Sequence, residues 1–226
     1  MLVPKLKFKR EDGTAYPVWS QEKLGSILRE YKETCKKDGT YEHISLTKEG
    51  VFPKSKRYDR DFLVTDDSKK YRVTHYNDIC YNPANLKFGV ICRNKYGDGI
   101  FSPIYVTFKV QNGYLPEFIE MLVTRNAFIK YTLRFQQGTV YERMAVSPED
   151  LLSISVETPY LEEQQKIADF LFTVDEVIAQ SEAEVQNLEQ QKKAAMQKIF
   201  SLHPTAKCQH KRHSEVPGLS VSLLLY

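Results

Sequence analysis

With 226 residues, 42% of them hydrophobic, and 14 Tyr beside 12 Phe, the chain can bury a sizeable core, which excludes a disordered polypeptide. No apolar run approaches the roughly 20 residues of a membrane span, and the opening MLVPKLKFKRED lacks the apolar stretch of a secretory signal, so a cytoplasmic protein without membrane association is expected. The net charge of +3 hides an asymmetry: residues 1–161 hold 25 Lys and Arg against 20 Asp and Glu, residues 162–200 hold 4 against 8, and residues 201–226 hold 3 against 1. A basic body followed by an acidic segment suits a reader of polyanions on a separate stalk.

In chain order, PKLKFKREDG reads as an extended basic leader. Ser20 is an N-cap candidate, and Leu24, Ile27, Leu28 and Tyr31 have the spacing of a short amphipathic helix that Gly39 would close. From Tyr41 to Tyr114 the period becomes that of strands. HISLT, FLVT, YRVTHY, DICYN, GVICRN and IFSPIYVTFKV are rich in β-branched and aromatic residues. Tyr96–Gly97–Asp98–Gly99 and Gln111–Asn112–Gly113 are turn signals, and PKSKRYDRD between Pro53 and Asp61 is a basic loop. Leu115 to Leu133 is helical in pattern, with Pro116 near its first turn. RFQQGTVYERM follows as a polar loop, Ser147 to Leu152 as a helical turn, and SISVETP as a last strand.

Leu161 to Phe200 contains no Pro and no Gly. Alternating steps of four and three from Ile167 pass through Leu171, Val174, Ile178, Ser181, Val185, Leu188, Lys192, Ala195 and Ile199, the seam of a coiled coil with two polar positions. As one helix it would run about 55–60 Å, so it is expected to pack on another long helix. The predicted class is α+β: a mixed, mostly antiparallel domain over residues 1–159, a spacer or dimerisation helix over 160–201, and an irregular tail over 202–226.

Catalytic signatures are missing. No glycine loop opens a helix, and no P-loop occurs. Asn82–Pro83–Ala84–Asn85 is similar to the start of the Asn-Pro-Pro-aromatic motif of amino-methyltransferases but departs at its third and fourth positions. Cys35, Cys80, Cys92 and Cys208 form no CxxC pair, and Cys208, His210 and His213 lack the framework of a metal site. The expectation is a binding module with no cofactor and no metal. Lys54, Lys56, Arg57 and Arg60 form the densest basic loop. Arg134, Gln136, Gln137, Thr139, Tyr141 and Arg143 combine base-reading side chains, since Arg pairs with guanine and Gln with adenine. Asn82, Asn85 and Lys87 are a third candidate group. A structural adaptor whose β domain binds protein, and a solitary enzyme, remain as alternatives.

VWSQEKLGSIL, YRVTHYNDICYNPANLKFGVI, DGIFSPIYVTFKV, GTVYERMAVSPEDLLSISVETPYLEEQQKIADFLFTVDEVI and LEQQKKAAMQKIF, in this order, resemble the specificity subunit of a type I restriction-modification system. The resemblance runs from residue 4 to 201. It implies one target-recognition domain followed by its spacer helix, half of the usual two-domain subunit, with catalysis supplied by partner methylation subunits and a restriction motor subunit. Double-stranded DNA is the implied target. With one helix instead of two, the seam residues Ile167, Leu171, Val174, Ile178, Val185, Leu188, Ala195 and Ile199 are expected to join a second copy in an antiparallel homodimer.

Overall fold

The computed structural model describes residues 7–36, 39–54, 70–137 and 144–200. Strand β1 (Ser20–Lys23) leads into one helical turn, α1 (Leu24–Ile27), and then into β2 (Leu28–Tyr31). β3 (Thr34–Cys35), β4 (Glu42–Leu46), β5 (Val51–Pro53), β6 (Tyr71–Thr74) and β7 (Ile79–Tyr81) follow. A 3₁₀ turn (Leu86–Phe88) separates these from β8 (Ile91–Arg93), β9 (Gly99–Phe101) and β10 (Val106–Val110). Next come α2 (Pro116–Thr124), α3 (Asn126–Thr132) and a second 3₁₀ turn (Leu133–Phe135). The described chain ends with α4 (Pro148–Ser153), β11 (Ser155–Thr158) and α5 (Leu161–Phe200).

The strands form three sheets, ordered β1-β11, β2-β10-β7-β8 and β3-β6-β9-β4-β5. Among the described residues every pairing is antiparallel except β4 with β9. Glycine permits that parallel pair: a Cβ on Gly99 would lie 2.7 Å from Ile44 Cδ1. The α+β class and the antiparallel bias match the expectation.

The main core gathers Leu24, Ile27 and Leu28 with Ile79, Tyr81 and Phe108 from the four-stranded sheet, and Ile119, Leu122, Phe128, Leu151 and Val156 from the elements around it. Residues at spacings of three and four in the first segment are therefore buried, but not on one helix. The expected helix through Tyr31 is corrected to a single turn between two strands. Leu28 to Tyr31 pairs with Val110 to Thr107, and Ser20 to Lys23 pairs with Thr158 to Ser155. Tertiary ladders on both sides outweigh a weak helix propensity and leave α1 without a side-chain cap. The expected helix from Leu115 to Leu133 is likewise corrected. It breaks at Arg125, whose ψ of 134° is extended, and ends in a 3₁₀ turn.

Other local readings hold. Ser147 caps α4, its Oγ accepting from Asp150 N at 3.0 Å with Pro148 in the first turn. Asn94 Oδ1 accepts from Tyr96 N and Gly97 N and so builds the Tyr96–Gly99 turn. The expected strand FLVT and the tail after Phe200 lie outside the described residues.

Two compact units emerge, Met1–Asp175 and Glu176–Tyr226, with the division inside α5. The first turns of α5 therefore pack with the β-rich unit: Gln164 Oε1 accepts from Leu115 N at 2.8 Å, and Ile167 packs on the main core. No helix among the described residues is long and apolar enough to cross a membrane.

Candidate nucleic-acid interface

Three segments distant in sequence meet around Gly89. The β4–β5 turn is closed by Thr47 N donating to Gly50 O at 2.9 Å. The first 3₁₀ turn is capped by Gly89 itself, at φ 81°, whose N–H donates to Leu86 O at 2.8 Å. A Cβ on Gly89 would lie 3.7 Å from Lys48 Cγ and 3.9 Å from Ile129 Cδ1, so the turn and α3 both reach this point.

These segments carry exposed cations: Lys48 on the turn, Lys87 on the 3₁₀ turn, Lys130 on α3 and Arg134 just beyond it. None of the four forms an ion pair among the described residues. Aromatic rings accompany them. Lys87 Nζ lies 5.0 Å from the Phe88 ring, and Arg134 Cζ lies 5.4 Å from the ring of Tyr131. Phe52 and Phe88 remain 48% and 62% exposed. Cations without carboxylate partners attract a polyphosphate, and exposed rings beside them hold the long side chains extended.

The structure distributes the residues expected from sequence unevenly. Asn85, Lys87, Arg134 and Gln136 fall at or beside this junction. The link is direct: Val146 N donates to Pro83 O at 3.3 Å, and Gln137 and Ala145 exchange backbone hydrogen bonds at 2.9 and 3.2 Å. Gln137 Nε2 is bonded to Asp150 Oδ2 at 2.8 Å, so a base contact through that nitrogen requires exchange of this bond. Asn82 is 5% exposed, and its Oδ1 accepts from Ala84 N and Asn85 N. It holds the turn that presents Asn85 and Lys87. Lys54 follows β5, its N–H donating to His43 O at 2.9 Å. Lys56, Arg57, Arg60, Thr139, Tyr141 and Arg143 lie outside the described residues.

Lys48, Lys130 and Phe88 escaped the sequence reading. Each is a lone residue between unrelated neighbours, and only the meeting of turn and helix groups them. Asn85–Leu86–Lys87–Phe88–Gly89, a cation and a ring before a glycine, was the one local signal available.

A second polar concentration is structural. Asp78 accepts from His75 N at 2.6 Å, from Thr74 Oγ1 at 3.2 Å and from the Tyr31 hydroxyl. Burial raises the Asp78 carboxyl above its ordinary range against these hydrogen bonds. His75 bridges Asp98 at 3.0 Å and Glu33 at 3.3 Å. Burial disfavours its charged form, yet the two carboxylates outweigh this and hold the imidazole above its usual value. The group fastens the loops at Glu33, His75 and Asp98 to one another. Among the described residues no cluster of His, Cys, Asp and Glu suits a metal ion.

On α5 the seam divides. Ile167 is half-buried on the main core, and Leu171 lines an apolar groove of about 220 Å³ with Phe8, Trp19, Phe118, Met121 and Phe170. Ile167, expected to face a partner helix, is thus engaged by its own unit, whereas Leu171 stays 37% exposed at the groove. Val174, Ile178, Val185, Leu188 and Ile199 are 37%, 48%, 54%, 55% and 73% exposed.

Residues 3–190 match the family model described as the type I restriction modification DNA specificity domain. The HsdS subunit from Thermoanaerobacter tengcongensis superposes with a TM-score of 0.57 at 17% identity, over 84% of this chain and 51% of that one. The type I restriction-modification system S subunit from M. genitalium superposes with a TM-score of 0.53 at 16% identity, over 90% and 50%. The chain thus spans about half the length of both structures, and the likeness is one of fold. No curated protein matches.

Proposed function

The chain belongs to the type I restriction-modification DNA specificity family, and from that premise we propose that it recognises a short half-site in double-stranded DNA without catalysing a reaction itself. The observation that carries this reading is the junction around Gly89, where Lys48, Lys87, Lys130 and Arg134 have no carboxylate partners among the described residues. The three lysines hold phosphates and set register, whereas Arg134, Gln136 and the neighbouring polar loop supply groups that read base edges. Lys56, Arg57, Arg60, Thr139, Tyr141 and Arg143 are assigned to DNA contacts in the same reading.

Within that role, α5 docks methylation subunits, and a restriction motor subunit joins the assembly. The exposed seam supports a second role for the helix, pairing with a second copy of the chain in antiparallel orientation about a two-fold axis. Each copy would then read the same half-site, and the target would be an interrupted palindrome.

Selection of duplexes from a random library, followed by titration at several salt concentrations, tests the reading. A recurrent half-site, and affinity that falls steeply with salt, is the expected result. Binding that is insensitive to both sequence and salt overturns it and favours a protein-binding adaptor. The isolated chain is expected to transfer no methyl group to DNA, as read by labelled-methyl incorporation.

A further inference from the structure

We infer that Asp150 holds the side chain of Gln137 with its amide oxygen turned outward, so that Gln137 selects adenine or cytosine, not thymine or guanine, at one position of the strand it contacts. This rests on the proposed DNA reading of the polar loop and assigns the chemistry of one of its side chains.

An exposed glutamine ordinarily offers a donor or an acceptor, depending on which way its amide turns, and so discriminates little by itself. Gln137 does not turn freely. Its backbone is fixed by the paired hydrogen bonds with Ala145, at 2.9 and 3.2 Å. Its Nε2 donates to Asp150 Oδ2 at 2.8 Å. A carboxylate accepts and does not donate, so only the nitrogen of the amide can face it, and chemistry alone settles which way the group points. The oxygen sits on the other branch of the planar amide, and among the described residues no donor engages it.

The carboxylate is a fixed reference. Asp150 lies in the first turn of α4, and its Oδ2 also accepts from Ser147 Oγ at 2.8 Å. Its own N–H donates back to Ser147 Oγ at 3.0 Å, and the next residue, Leu151, is fully buried in the main core. The anchor is therefore a helix seated on the core, which holds a reading side chain more closely than a loop does. Capping of α4 is complete within Ser147 and Asp150, so it leaves the bond to Gln137 unexplained. Gln136 has no comparable anchor: its Nε2 lies 3.5 Å from Met144 O, at the outer limit of a hydrogen bond.

Every base pair presents one exocyclic amino group in the major groove, on its adenine or cytosine, and a keto oxygen on the thymine or guanine opposite. An outward acceptor is satisfied by the amino group and repelled by the keto oxygen. Gln137 thereby fixes which strand carries the amino base, whereas a glutamine free to turn would accept either. Asp150 is a positioning residue in this scheme and touches no base.

The test uses the full-length chain and the half-site recovered by library selection, varied one base pair at a time. Gln137→Ala identifies the position that Gln137 reads, as the one whose preference it abolishes. There the original chain is expected to bind duplexes with A or C on one strand on the order of tenfold more tightly than those with T or G. Replacing that adenine by purine, or that cytosine by pyrimidin-2-one, removes the amino group and is expected to cost the same factor. Asp150→Asn lets the amide turn, since an asparagine both donates and accepts, and is expected to bring the ratio close to one at this position only. A role in capping alone would lower the melting temperature and weaken all duplexes in proportion, with the ratio unchanged. Combining Gln137→Glu with Asp150→Asn exchanges carboxylate and amide between the two positions. An acceptor again faces outward, and the ratio is expected to return. The inference is overturned by a preference for T or G at the position read, by a ratio that Asp150→Asn leaves intact, or by a double variant that does not regain it. It is overturned equally if Gln137→Ala alters preference at no position. All four results leave the DNA reading standing, whereas a selection that recovers no half-site overturns both.

Discussion

Trp19 Nε1 donates to Glu163 Oε2 at 3.1 Å across 144 residues of chain. The bond ties the segment before β1 to the head of α5, where Glu163 is 3% exposed. Phe118 meets the Trp19 ring edge-on at a centroid distance of 6.2 Å, so the indole is held from both sides. Burial pushes the Glu163 carboxyl above its ordinary value of 4.5, against the hydrogen bond from Trp19.

A raised carboxyl binds its proton better in the folded state, so its contribution to stability is greatest at low pH and is lost as pH rises above 4.5. Glu163→Gln keeps an acceptor for the indole and removes the charge. Its melting temperature is expected to exceed that of the original chain at pH 7, and the difference to vanish near pH 4. Glu163→Ala leaves the indole N–H without its partner and is expected to lose about 1–3 kcal/mol in denaturant titration.

The His75 bridge has its own pH dependence. Its imidazole titrates above the ordinary 6.5 when folded, so the stabilisation is complete below pH 6.5 and disappears as pH climbs through the folded value. Between pH 6 and 8 the original chain should lose stability relative to His75→Gln. Asp78 beneath it titrates from 3.8 upward, so a scan starting at pH 6 separates the two groups better than an acid titration does.

At the junction, Lys48→Ala and Lys87→Ala should weaken all duplexes alike, and each should flatten the dependence of log affinity on log salt by about one unit. Lys56→Ala is expected to do the same. Arg134→Ala, by contrast, should relax preference at one base position, with a loss of about 1–3 kcal/mol on the preferred sequence and little on others. Gln137→Ala is expected to resemble Arg134→Ala. Competition binding against single-base variants of the site distinguishes the two classes.

Gly89 is left-handed at φ 81°, and the space beside it would admit a Cβ with its nearest neighbour at 3.7 Å. Gly89→Ala should therefore act through backbone strain rather than collision, lowering stability by about 1–2 kcal/mol. Because the same residue caps the turn bearing Lys87 and Phe88, DNA affinity should fall more than in a surface variant of equal stability, as measured well below the melting temperature.

The long helix was determined by sequence alone: forty residues without Pro or Gly and with a heptad seam leave the backbone no better option, and α5 runs from Leu161 to Phe200. The strand segments among the described residues between Tyr41 and Tyr114 were legible for a similar reason, since alternating β-branched and aromatic residues separated by Gly and Asn are local signals. The family was legible in the order of whole segments. Tertiary structure decided the rest. Leu24 and Leu28 are spaced for a helix, yet β10 and β11 claim the backbone on both sides of α1, because a ladder satisfies more polar groups than one isolated turn. Ile167 has the same spacing as Val174 and Ile178, and only its packing on the main core separates it from the exposed seam residues. The cationic junction was invisible for the same physical reason. Lys48, Lys87 and Lys130 become one surface only where the β4–β5 turn and α3 close on Gly89, a contact that no run of sequence records.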